Sequence, residues 1–401
     1  MKNKKKIIIF MILLIILVIL GFYAKIPINY LRIKYAKIEV NLVDNLTLNF
    51  TEKKHVSDFI STINGNIIDD YIIDSTQIGD KIIKFEFINE DGIKVPYKYT
   101  ISIIDTISPI IWLNNSYYIT AGNNVDLVSS ILCGDNEDPN PSRYIEGTYD
   151  YNKIGAYPLT YKAVDRSGNE SKQNFTLYVN EKKTTTATTN KVYTYFSDVI
   201  KNYKSTNTKI GIDVSVWQGD INFKEIKDAG VEFIIIRVGT TKGPNGEYML
   251  DSKFLNNIKQ ANEYNIDVGL YFYSYANSNE KAREEAEWVI EQIQGYNVSL
   301  PIAFDWENWS SFNKYNLSFF GLTNMANTFL NTLNEAGYAG LLYSSKSYLE
   351  KLWMPIEYDI WLAHYTKSTD YKGIYKYWQL CDNGKIDGIN GTVDIDIMYI
   401  N

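Results

Sequence analysis

The fold is decided by a short apolar run that ends in two carboxylates, Pro301-Ile302-Ala303-Phe304-Asp305-Trp306-Glu307. A run of this length that follows a helical pattern is typical of a buried strand. Because side chains alternate across a strand, Asp305 and Glu307 share one face, with their Cβ atoms roughly 6–7 Å apart at a rise of ~3.3 Å per residue. This separation suits a carboxyl pair that cleaves a glycosidic bond. Two solvated acids at a strand end are the alternative interpretation.

The composition narrows the classes of function. A chain of 401 residues is long enough for two or three domains, and 14% aromatic residues, including 33 tyrosines, suit a carbohydrate-binding surface. The net charge of −7 argues against a nucleic-acid partner. With two distant histidines and no HExxH, paired CxxC or P-loop motif, zinc hydrolysis and nucleotide chemistry are disfavoured, so we predict no cofactor and no metal. Cys133 and Cys381 are expected to be buried apolar residues rather than a disulfide.

The N-terminus predicts a membrane anchor. Four lysines before residue 7 precede an apolar run from Ile7 to Ala24, and its 18 residues would span roughly 27 Å as a helix. Phe22 would occupy the −3 position of a cleavage site after Ala24, which disfavours a cleaved signal peptide. We therefore expect residues 1–34 to form a cytoplasmic tip and a single-pass anchor that contacts the lipid bilayer. The following domains would lie outside the cell membrane and face the cell wall.

Residues 35–181 contain an internal repeat. The segment Ile78–Gly92 aligns without gaps on Ile154–Gly168, and each copy is typical of a strand, a turn and a second strand. The sequence therefore predicts two β-sandwich modules, at residues 35–104 and 105–181. The second copy resembles the immunoglobulin-like modules of bacterial surface proteins, through the motifs Asp105-Thr106-Ile107-Ser108-Pro109 and Ala163-Val164-Asp165-Arg166-Ser167-Gly168-Asn169.

Two further segments join the predicted domains. Asp135-Asn136-Glu137-Asp138 is acidic but lacks the spacing of an EF-hand loop, so a plain polar loop is favoured over a calcium site. Residues 182–208 are predicted to be a linker because Thr184–Thr189 is polar and of low complexity. Within it, residues 192–203 show loosely helical spacing and could cap the next domain.

Strands and helices alternate from residue 209 to residue 401. The candidate strands cover residues 210–216, 233–238, 268–275, 300–306, 340–343, 359–364, 375–380 and 393–397. Helical patterns cover residues 222–229, 252–264, 280–294 and 318–335. About eight strands in so short a segment predict a small, irregular (β/α) barrel in which some helices are missing or abbreviated. The whole chain is thus expected to be multidomain: a transmembrane helix, two β-sandwich modules and a C-terminal barrel.

Three of the barrel strands carry acids on one face and aliphatic residues on the other. These acids are Asp213 in the first strand, Asp305 and Glu307 in the fourth, and Asp394 and Asp396 in the last. The aliphatic face of a barrel strand packs under the helices, so the acids are expected inside. Several carboxylates in one pocket repel each other, and at least one should retain its proton near neutral pH as a general acid. A metal site is the rival use of such a cluster; aromatic surroundings and the absence of nearby histidine disfavour it.

The C-terminal segment resembles the family 25 glycoside hydrolases. The resemblance runs through the segment 209–401 and is carried by Gly211-Ile212-Asp213-Val214-Ser215, Gln218-Gly219, Ala303-Phe304-Asp305-Trp306-Glu307, Trp361-Leu362-Ala363-His364-Tyr365, Tyr377-Trp378-Gln379 and Gly391-Thr392-Val393-Asp394. Members of this family are lysozymes that cut the β-1,4 bond between N-acetylmuramic acid and N-acetylglucosamine in peptidoglycan. One departure is Tyr271-Phe272-Tyr273, where many relatives place a histidine after the tyrosine.

The resemblance implies roles for individual residues. Glu307 would be the general acid/base, and Asp305 would orient or stabilise the reacting sugar. Asp213 and Asp394 would line the pocket; Asp394 is chosen over Asp396 because it directly follows the glycine-containing turn. The expected substrate-binding residues are Trp217, Tyr271, Tyr273, Trp361, Tyr365, Trp378 and Gln379.

The sequence therefore favours a membrane-anchored muramidase held away from the bilayer by two β-modules. A non-catalytic wall-binding surface protein or assembly factor is the main alternative, although it would not need all four acids. A chitinase is a third possibility, but its DxxDxDxE motif would need acids upstream of Asp305, where Leu300–Phe304 has none.

Overall fold

A computed structural model describes residues 11, 15, 31–182 and 192–400. The chain divides into two compact units, Met1–Thr106 and Ile107–Asn401. Most of the predicted anchor at residues 7–24, and the threonine run of the predicted linker, lie outside the described residues. Within the described part, no helix combines the length and apolar character needed to cross a membrane.

The first unit contains one β-module. Its elements are β1 Val40–Leu42, β2 Thr47–Asn49, a 3-10 helix Val56–Phe59, β3 Ile60–Ile63, β4 Gly65–Ile67, β5 Gly79–Asn89 and β6 Lys94–Ile104. A four-stranded sheet in the order β2-β6-β5-β4 and the pair β1-β3 share one apolar core. The long hairpin β5-β6 is antiparallel, and in β5 every second residue from Ile83 onward is buried, which gives the sheet one face toward the core.

The second unit begins with a module of the same topology. Its elements are β7 Ile110–Ile111, β8 Ser116–Thr120, helix α1 Leu127–Ser130, β9 Cys133–Gly134, β10 Ser142–Glu146, β11 Gly155–Val164 and β12 Glu170–Asn180. The sheet order β8-β12-β11-β10 repeats that of the first module. Leu48 pairs with Ile103 in the first module, and Ile119 pairs with Val179, the counterpart of Ile103 in the repeat, in the second. The repeat predicted from the sequence is therefore confirmed, whereas the immunoglobulin-like classification stays a prediction.

The rest of the second unit is a closed barrel with helices around it. Its strands are β13 Thr194–Tyr195, β14 Thr208–Val214, β15 Phe233–Thr241, β16 Tyr248–Leu250, β17 Asp267–Ser274, β18 Ile302–Trp306, β19 Gly340–Ser345, β20 Asp359–Ala363, β21 Tyr377–Lys385 and β22 Val393–Tyr399. Its helices are α2 Phe196–Tyr203, α3 Phe223–Asp228, α4 Phe254–Glu263, α5 Asn279–Gln292, α6 Phe312–Tyr315, α7 Phe319–Glu335 and α8 Lys346–Lys351. Two 3-10 helices cover Val216–Gln218 and Trp309–Ser311.

Eight strands close the barrel in the order β14-β15-β17-β18-β19-β20-β21-β22, and β22 returns to β14. Neighbouring strands are parallel except β22, which is antiparallel to both of its neighbours. The eight predicted strands are confirmed, as are the four predicted helices. No helix of the described chain lies between β20 and β22, so the prediction of missing helices is confirmed too. The reversed β22 brings its N-terminal end to the same rim as the C-terminal ends of the other strands.

Side-chain alternation separates an inner from an outer core. Ile212 and Val214 of β14 face outward into the large core beneath the helices, and Asp213 between them faces inward. A smaller inner cluster, which includes Phe233, Ile235 and Leu341, fills the lower part of the barrel. The expectation that the acids lie inside the barrel is confirmed.

The segment that precedes the barrel is part of its wall. β13 pairs in parallel with β21, and α2 buries Phe196 and Val199 in the outer core. The Tyr203 hydroxyl donates to the carbonyl of Lys367 at 2.7 Å. Residues 192–203 of the predicted linker therefore pack on the barrel, as the cap that their helical spacing indicated.

The second β-module packs directly on the barrel. The Asn313 amide donates to the carbonyl of Ile131 at 2.8 Å and accepts from the backbone N–H of Cys133 at 3.1 Å. At the start of α7, the backbone N–H of Phe319 donates to the carbonyl of Asp135 at 2.8 Å, which satisfies one of the free N–H groups of that helix end. The acidic loop Asp135–Asp138 is buried rather than a plain solvent loop, and its first residue makes this contact with the barrel.

We expect substitution of Phe329 to test the helix-to-barrel packing. Phe329 of α7 is fully buried, and its ring lies 5.1 Å from that of Phe304. Phe329→Ala should lower the free energy of unfolding by about 3–5 kcal/mol, because it removes a buried ring and leaves a cavity. Urea unfolding followed by tryptophan fluorescence reports this unit alone, because all 8 tryptophans lie after residue 106. Leu255→Ala, at a side chain that is 48% exposed, is the control and should change stability by less than ~0.5 kcal/mol.

Candidate active site

Four carboxylates from three strands meet at one rim of the barrel. Asp213 lies near the C-terminal end of β14, Asp305 lies in β18 with Glu307 just beyond it, and Asp394 lies at the start of β22. Asp213 and Asp394 are paired across β14 and β22. Glu307 interacts electrostatically with the other three acids. The structure therefore brings together all four acids that the sequence predicted to be catalytic.

Burial strongly favours the neutral forms of the deeper acids. It raises the pKa of Asp213 well above its usual value, and the neighbouring Asp396 raises it further. Burial, together with the charges of Asp213, Asp382 and Glu307, raises the pKa of Asp394 to about 9. The rim is thus a crowded acidic site that retains protons near neutral pH.

Asp305 and Glu307 form a coupled pair with unequal surroundings. Asp305 is 4% exposed, and within the described residues its Oδ1 has no hydrogen-bond partner, whereas Glu307 opens to the cleft. Burial and the charge of Glu307 raise the pKa of Asp305 well above its usual range. Burial also raises the pKa of Glu307 above its usual value, although its hydrogen bond with Asp305 opposes this rise. The raised pKa of both carboxyls favours retention of a proton by this pair, as the sequence predicted for the acidic cluster.

Gln379 holds two acids and two tyrosines in place. Its Nε2 donates to Asp213 Oδ2 and to Asp394 Oδ2, both at 2.9 Å. Its Oε1 accepts from the hydroxyls of Tyr343 at 2.9 Å and Tyr365 at 3.1 Å. Because Gln379 is 2% exposed and all these bonds are internal, its predicted role in substrate binding is corrected to one of positioning the acids.

Trp361 and Asp396 form a layer beneath the acids. Asp396 is fully buried and accepts a hydrogen bond from the Trp361 indole N–H at 2.8 Å. Trp361 faces the barrel interior as predicted, but it is only 2% exposed. Its predicted substrate contact is therefore corrected: it supports the acidic layer from below. The choice of Asp394 over Asp396 agrees with the structure, since Asp394 is the one nearer the rim.

Of the remaining predicted aromatic residues, all but Trp378 lie inside the barrel or at its rim. Tyr271 and Tyr273 point inward from β17 and interact with Asp305, and Tyr365 lies at the rim with 53% of its surface exposed. Trp217 is 83% exposed in the 3-10 helix that follows β14. Trp378 is the exception. It lies on the outer face of β21, where its ring packs edge-on against Tyr203, so its predicted substrate role is wrong.

A cavity of about 360 Å³ opens beside Glu307. Trp309, Tyr343, Tyr348 and Tyr365 provide its aromatic lining, and Ser344–Ser347 and His364 provide polar groups. Tyr365 also lines a second cavity of about 720 Å³, whose other wall includes residues 192–203. The open space at the rim therefore extends beyond the acids in the direction of the β13 segment.

Sequence reasoning missed several groups around the acids. Tyr343, at the end of β19, contacts Gln379, and its place at the end of an alternating strand was a usable signal. Arg237 forms a buried ion pair with Asp251 at 2.7 Å and lowers the pKa of Asp305, which opposes the larger effect of burial. An arginine within the apolar run Phe233–Val238 was the corresponding signal. Carboxyl groups that retain protons in this way are poor ligands for a metal ion.

Because the pKa of Asp394 is raised in the folded protein, replacement of this carboxyl with a neutral amide should stabilise the protein in a pH-dependent way. From about pH 4 to about pH 9 the carboxyl is charged in the unfolded chain but protonated in the folded one, so wild-type stability falls as pH rises across this window. Asp394→Asn should therefore be near neutral at pH 4 and stabilising by at least ~1 kcal/mol at pH 8, since one pKa unit corresponds to ~1.4 kcal/mol.

Urea unfolding at both pH values measures this effect. Asp228→Asn, at a carboxylate that is 64% exposed, is the control and should shift stability by less than ~0.5 kcal/mol at either pH. An Asp394→Asn effect that is the same at pH 4 and pH 8 would contradict the assigned pKa shift.

Comparisons with known proteins agree with this site. Residues 212–389 match the model of the family described as glycosyl hydrolases family 25, a range that includes Asp213, Asp305, Glu307 and Gln379. The uncharacterized protein YegX of Escherichia coli K12 is 26% identical over 192 residues, which are 47% of this chain and 68% of YegX. Lysozyme M1 of Streptomyces globisporus is 29% identical over 202 residues, which are 46% of this chain and 65% of that lysozyme.

A solved structure adds a weaker likeness. The modular autolysin LytC from Streptococcus pneumoniae, in complex with a synthetic peptidoglycan ligand, is 25% identical with a TM-score of 0.45, and the match covers 60% of this chain and 56% of LytC. The family match and the sequence relatives cover the barrel and leave more than half of the chain unmatched. Residues 212–389 are thus similar to family 25 glycosyl hydrolases, and this similarity supports a glycoside hydrolase activity for the protein.

Proposed function

We propose that the protein is a peptidoglycan hydrolase that cleaves the β-1,4 bond between N-acetylmuramic acid and N-acetylglucosamine. The observation that carries this proposal is the Asp305–Glu307 carboxyl pair at the edge of an aromatic-lined cavity, where burial raises the pKa of both groups. The relative named Lysozyme M1 supports the choice of substrate.

Glu307 is the general acid in this proposal because it is the member of the pair that reaches the cleft. It protonates the bridging oxygen as the bond to the sugar's anomeric carbon breaks. The acetamido oxygen of the same sugar then bonds to that carbon, and the acetamido N–H donates to Asp305. A water molecule that gives its proton to Glu307 opens this intermediate and returns Glu307 to its acid form.

Substrate binding also favours the protonation states that this mechanism needs. Burial and the charge of Glu307 raise the pKa of Asp305 in the free protein. A hydrogen bond donated by the acetamido group favours the charged form of Asp305. The proton that the pair retains is then available on Glu307, where the leaving oxygen needs it.

The exposed aromatics at the rim suit a sugar polymer. Tyr365 joins the cavity beside Glu307 to the larger one, so several sugar units could lie along this edge. Trp217 offers an almost fully exposed ring, on which a sugar face could stack. Tyr271 and Tyr273 would contact the sugar nearest the acids.

We further propose that the hydrolase is anchored in the cell membrane with its C-terminal domains facing the wall. The apolar run Ile7–Ala24 after four lysines supports this location. The two modules of like topology support an immunoglobulin-like assignment, in which they hold the catalytic domain on the outer side.

Loss of the general acid should abolish hydrolysis without unfolding the protein. We expect Glu307→Gln to reduce the release of reducing ends from purified peptidoglycan by at least about 10²-fold, because general acid catalysis typically contributes 10²–10⁴-fold. Its thermal midpoint should not fall below that of wild type, because the raised pKa of Glu307 means that the folded protein disfavours its charge and a neutral amide is tolerated there. Glu263→Gln, in α4 on the barrel exterior, is the matched control and should retain full activity.

The products and the wild-type protein decide between the alternatives. Mass spectrometry of released fragments should show N-acetylmuramic acid at the new reducing ends. Wall affinity without turnover at any pH between about 4 and 8 would instead favour a non-catalytic wall-binding protein. Faster cleavage of chitin oligomers than of peptidoglycan would favour a chitinase.

Two charges in the apolar run should release the protein from membranes. Leu13→Arg combined with Leu17→Arg should move the full chain from the membrane pellet to the soluble fraction, because each central arginine costs about 2.5–3.5 kcal/mol of insertion free energy. Leu13→Val combined with Leu17→Val is the matched control and should stay in the pellet. Equal retention of the two double variants after an alkaline wash would contradict the anchor.

A further inference from the structure

A row of three contacting aromatic rings connects the second β-module to the catalytic cavity. The Trp112 ring, just after β7, lies 5.1 Å from that of Tyr348 in α8. Tyr348 in turn stacks on Trp309, with ring centroids 4.1 Å apart and planes 23° apart. Tyr348 and Trp309 line the cavity beside Glu307, so Trp112 supports this wall from behind.

A lysine side chain also contacts the Trp112 ring. The Lys351 ammonium group lies 5.2 Å from the centre of the Trp112 ring, a distance at which a cation and an aromatic face attract. Lys351 ends the same helix that carries Tyr348. Trp112 therefore contacts α8 twice, through the Tyr348 ring and through a cation–π contact with Lys351.

A second set of contacts fixes the segment that follows Glu307. Gly134 of β9 approaches the rings of Phe312 and Phe319 so closely that an added Cβ would lie 2.6 Å from a Phe312 ring carbon. The Asn313 side chain is hydrogen-bonded to the backbone of Cys133 and Ile131. The β-module thus contacts the chain between Glu307 and α7 at Phe312 and Asn313, and contacts α7 itself at Phe319.

Electrostatics place the same wall close to the general acid. Burial, and then the charge of Glu307, raise the pKa of Tyr348 above its usual value. The Trp306 indole packs edge-on against Trp309 at 5.0 Å, and Trp306 directly precedes Glu307 in the chain. A shift of Trp309 would therefore disturb both Trp306, which precedes Glu307 in the chain, and the cavity wall beside Glu307.

We propose that the β-module of residues 107–181 is a structural part of the catalytic site, and that Trp112 is a positioning residue that holds Tyr348 and Trp309 against the Glu307 cavity. The proposal rests on the hydrolase function above. Without the Trp112 ring, the wall loosens and water reaches Glu307 more freely. Greater hydration favours the charged carboxylate, so the proton needed by the leaving group is lost at a lower pH.

The test compares Trp112→Ala with Trp112→Phe in the full-length chain, purified in a mild detergent. Trp112→Ala should lower kcat/KM on peptidoglycan about tenfold, because a small displacement of a catalytic group is costly, and should shift the alkaline limb of the pH profile to lower pH. Trp112→Phe retains a ring and should recover most of both. Tyr118→Ala removes a 65% exposed ring from the same module, away from this wall, and should match wild type.

Hydrogen exchange gives a readout that does not depend on turnover. In Trp112→Ala, amide exchange should accelerate in residues 308–316 and 346–351, and Tyr118→Ala should leave both segments as in wild type. Should Trp112→Ala fail to fold, Trp112→Leu keeps an apolar side chain without the stacked ring and takes its place. Wild-type exchange in both segments together with an unchanged pH profile would overturn the proposal. A wild-type protein without turnover would refute the hydrolase function, and exchange would still decide the role of Trp112.

Discussion

The catalytic end of the barrel depends on one side-chain amide placed between carboxyl groups. The Gln379 side-chain amide donates one hydrogen bond to Asp213 and one to Asp394. Its oxygen accepts hydrogen bonds from the hydroxyls of Tyr343 and Tyr365. An amide is suited to this position because it satisfies four polar neighbours without adding charge. A lysine or arginine there would pull protons off the acids, since an opposite charge lowers a carboxyl pKa. The amide fixes the geometry of the acids and lets burial keep them protonated.

This arrangement has a cost in stability that the rest of the fold must offset. Acids whose pKa is raised on folding bind protons more tightly in the folded than in the unfolded state, so the folded state loses stability as pH rises. The large outer core, built by the outward faces of the same strands and by the helices, supplies the opposing free energy. Strand β14 contributes to both the core and the site. Ile212 and Val214 pack into the outer core, and Asp213 between them points into the barrel.

The sequence predicted this division well because it follows a period of two. Alternation along β14, β18 and β22 was sufficient to place the acids inside and the aliphatic residues outside. The same rule separates Gln379 from Trp378, and applying it strictly would have excluded Trp378 from the site. Alternation gives the face of a residue but not its depth, so Trp361 was correctly placed inside and wrongly placed in contact with substrate.

Contacts between distant segments had no such periodic signal. The two modules share a repeat that holds through the long hairpins, β5-β6 and β11-β12. The copies differ before those hairpins, and the second copy has there the loop that packs on α6 and α7. The repeat indicated two equivalent modules, and the differences between the copies carried the information about the barrel contact. Trp112 looked like an ordinary apolar residue after a short strand, because its partner Tyr348 belongs to a distant part of the sequence.

The position of that contact gives it significance beyond stability. A module that served only as a spacer could be attached anywhere on the barrel surface. The contact instead involves the segments that follow β18 and β19, the strands whose ends form the cavity beside Glu307. In the proposed arrangement, a wall held in place by Trp112 limits the hydration of Glu307, and a lower local dielectric strengthens its coupling to Asp305. The β-module and the acid pair therefore serve the same step: the module limits the hydration of the general acid, and the pair retains the proton that it transfers.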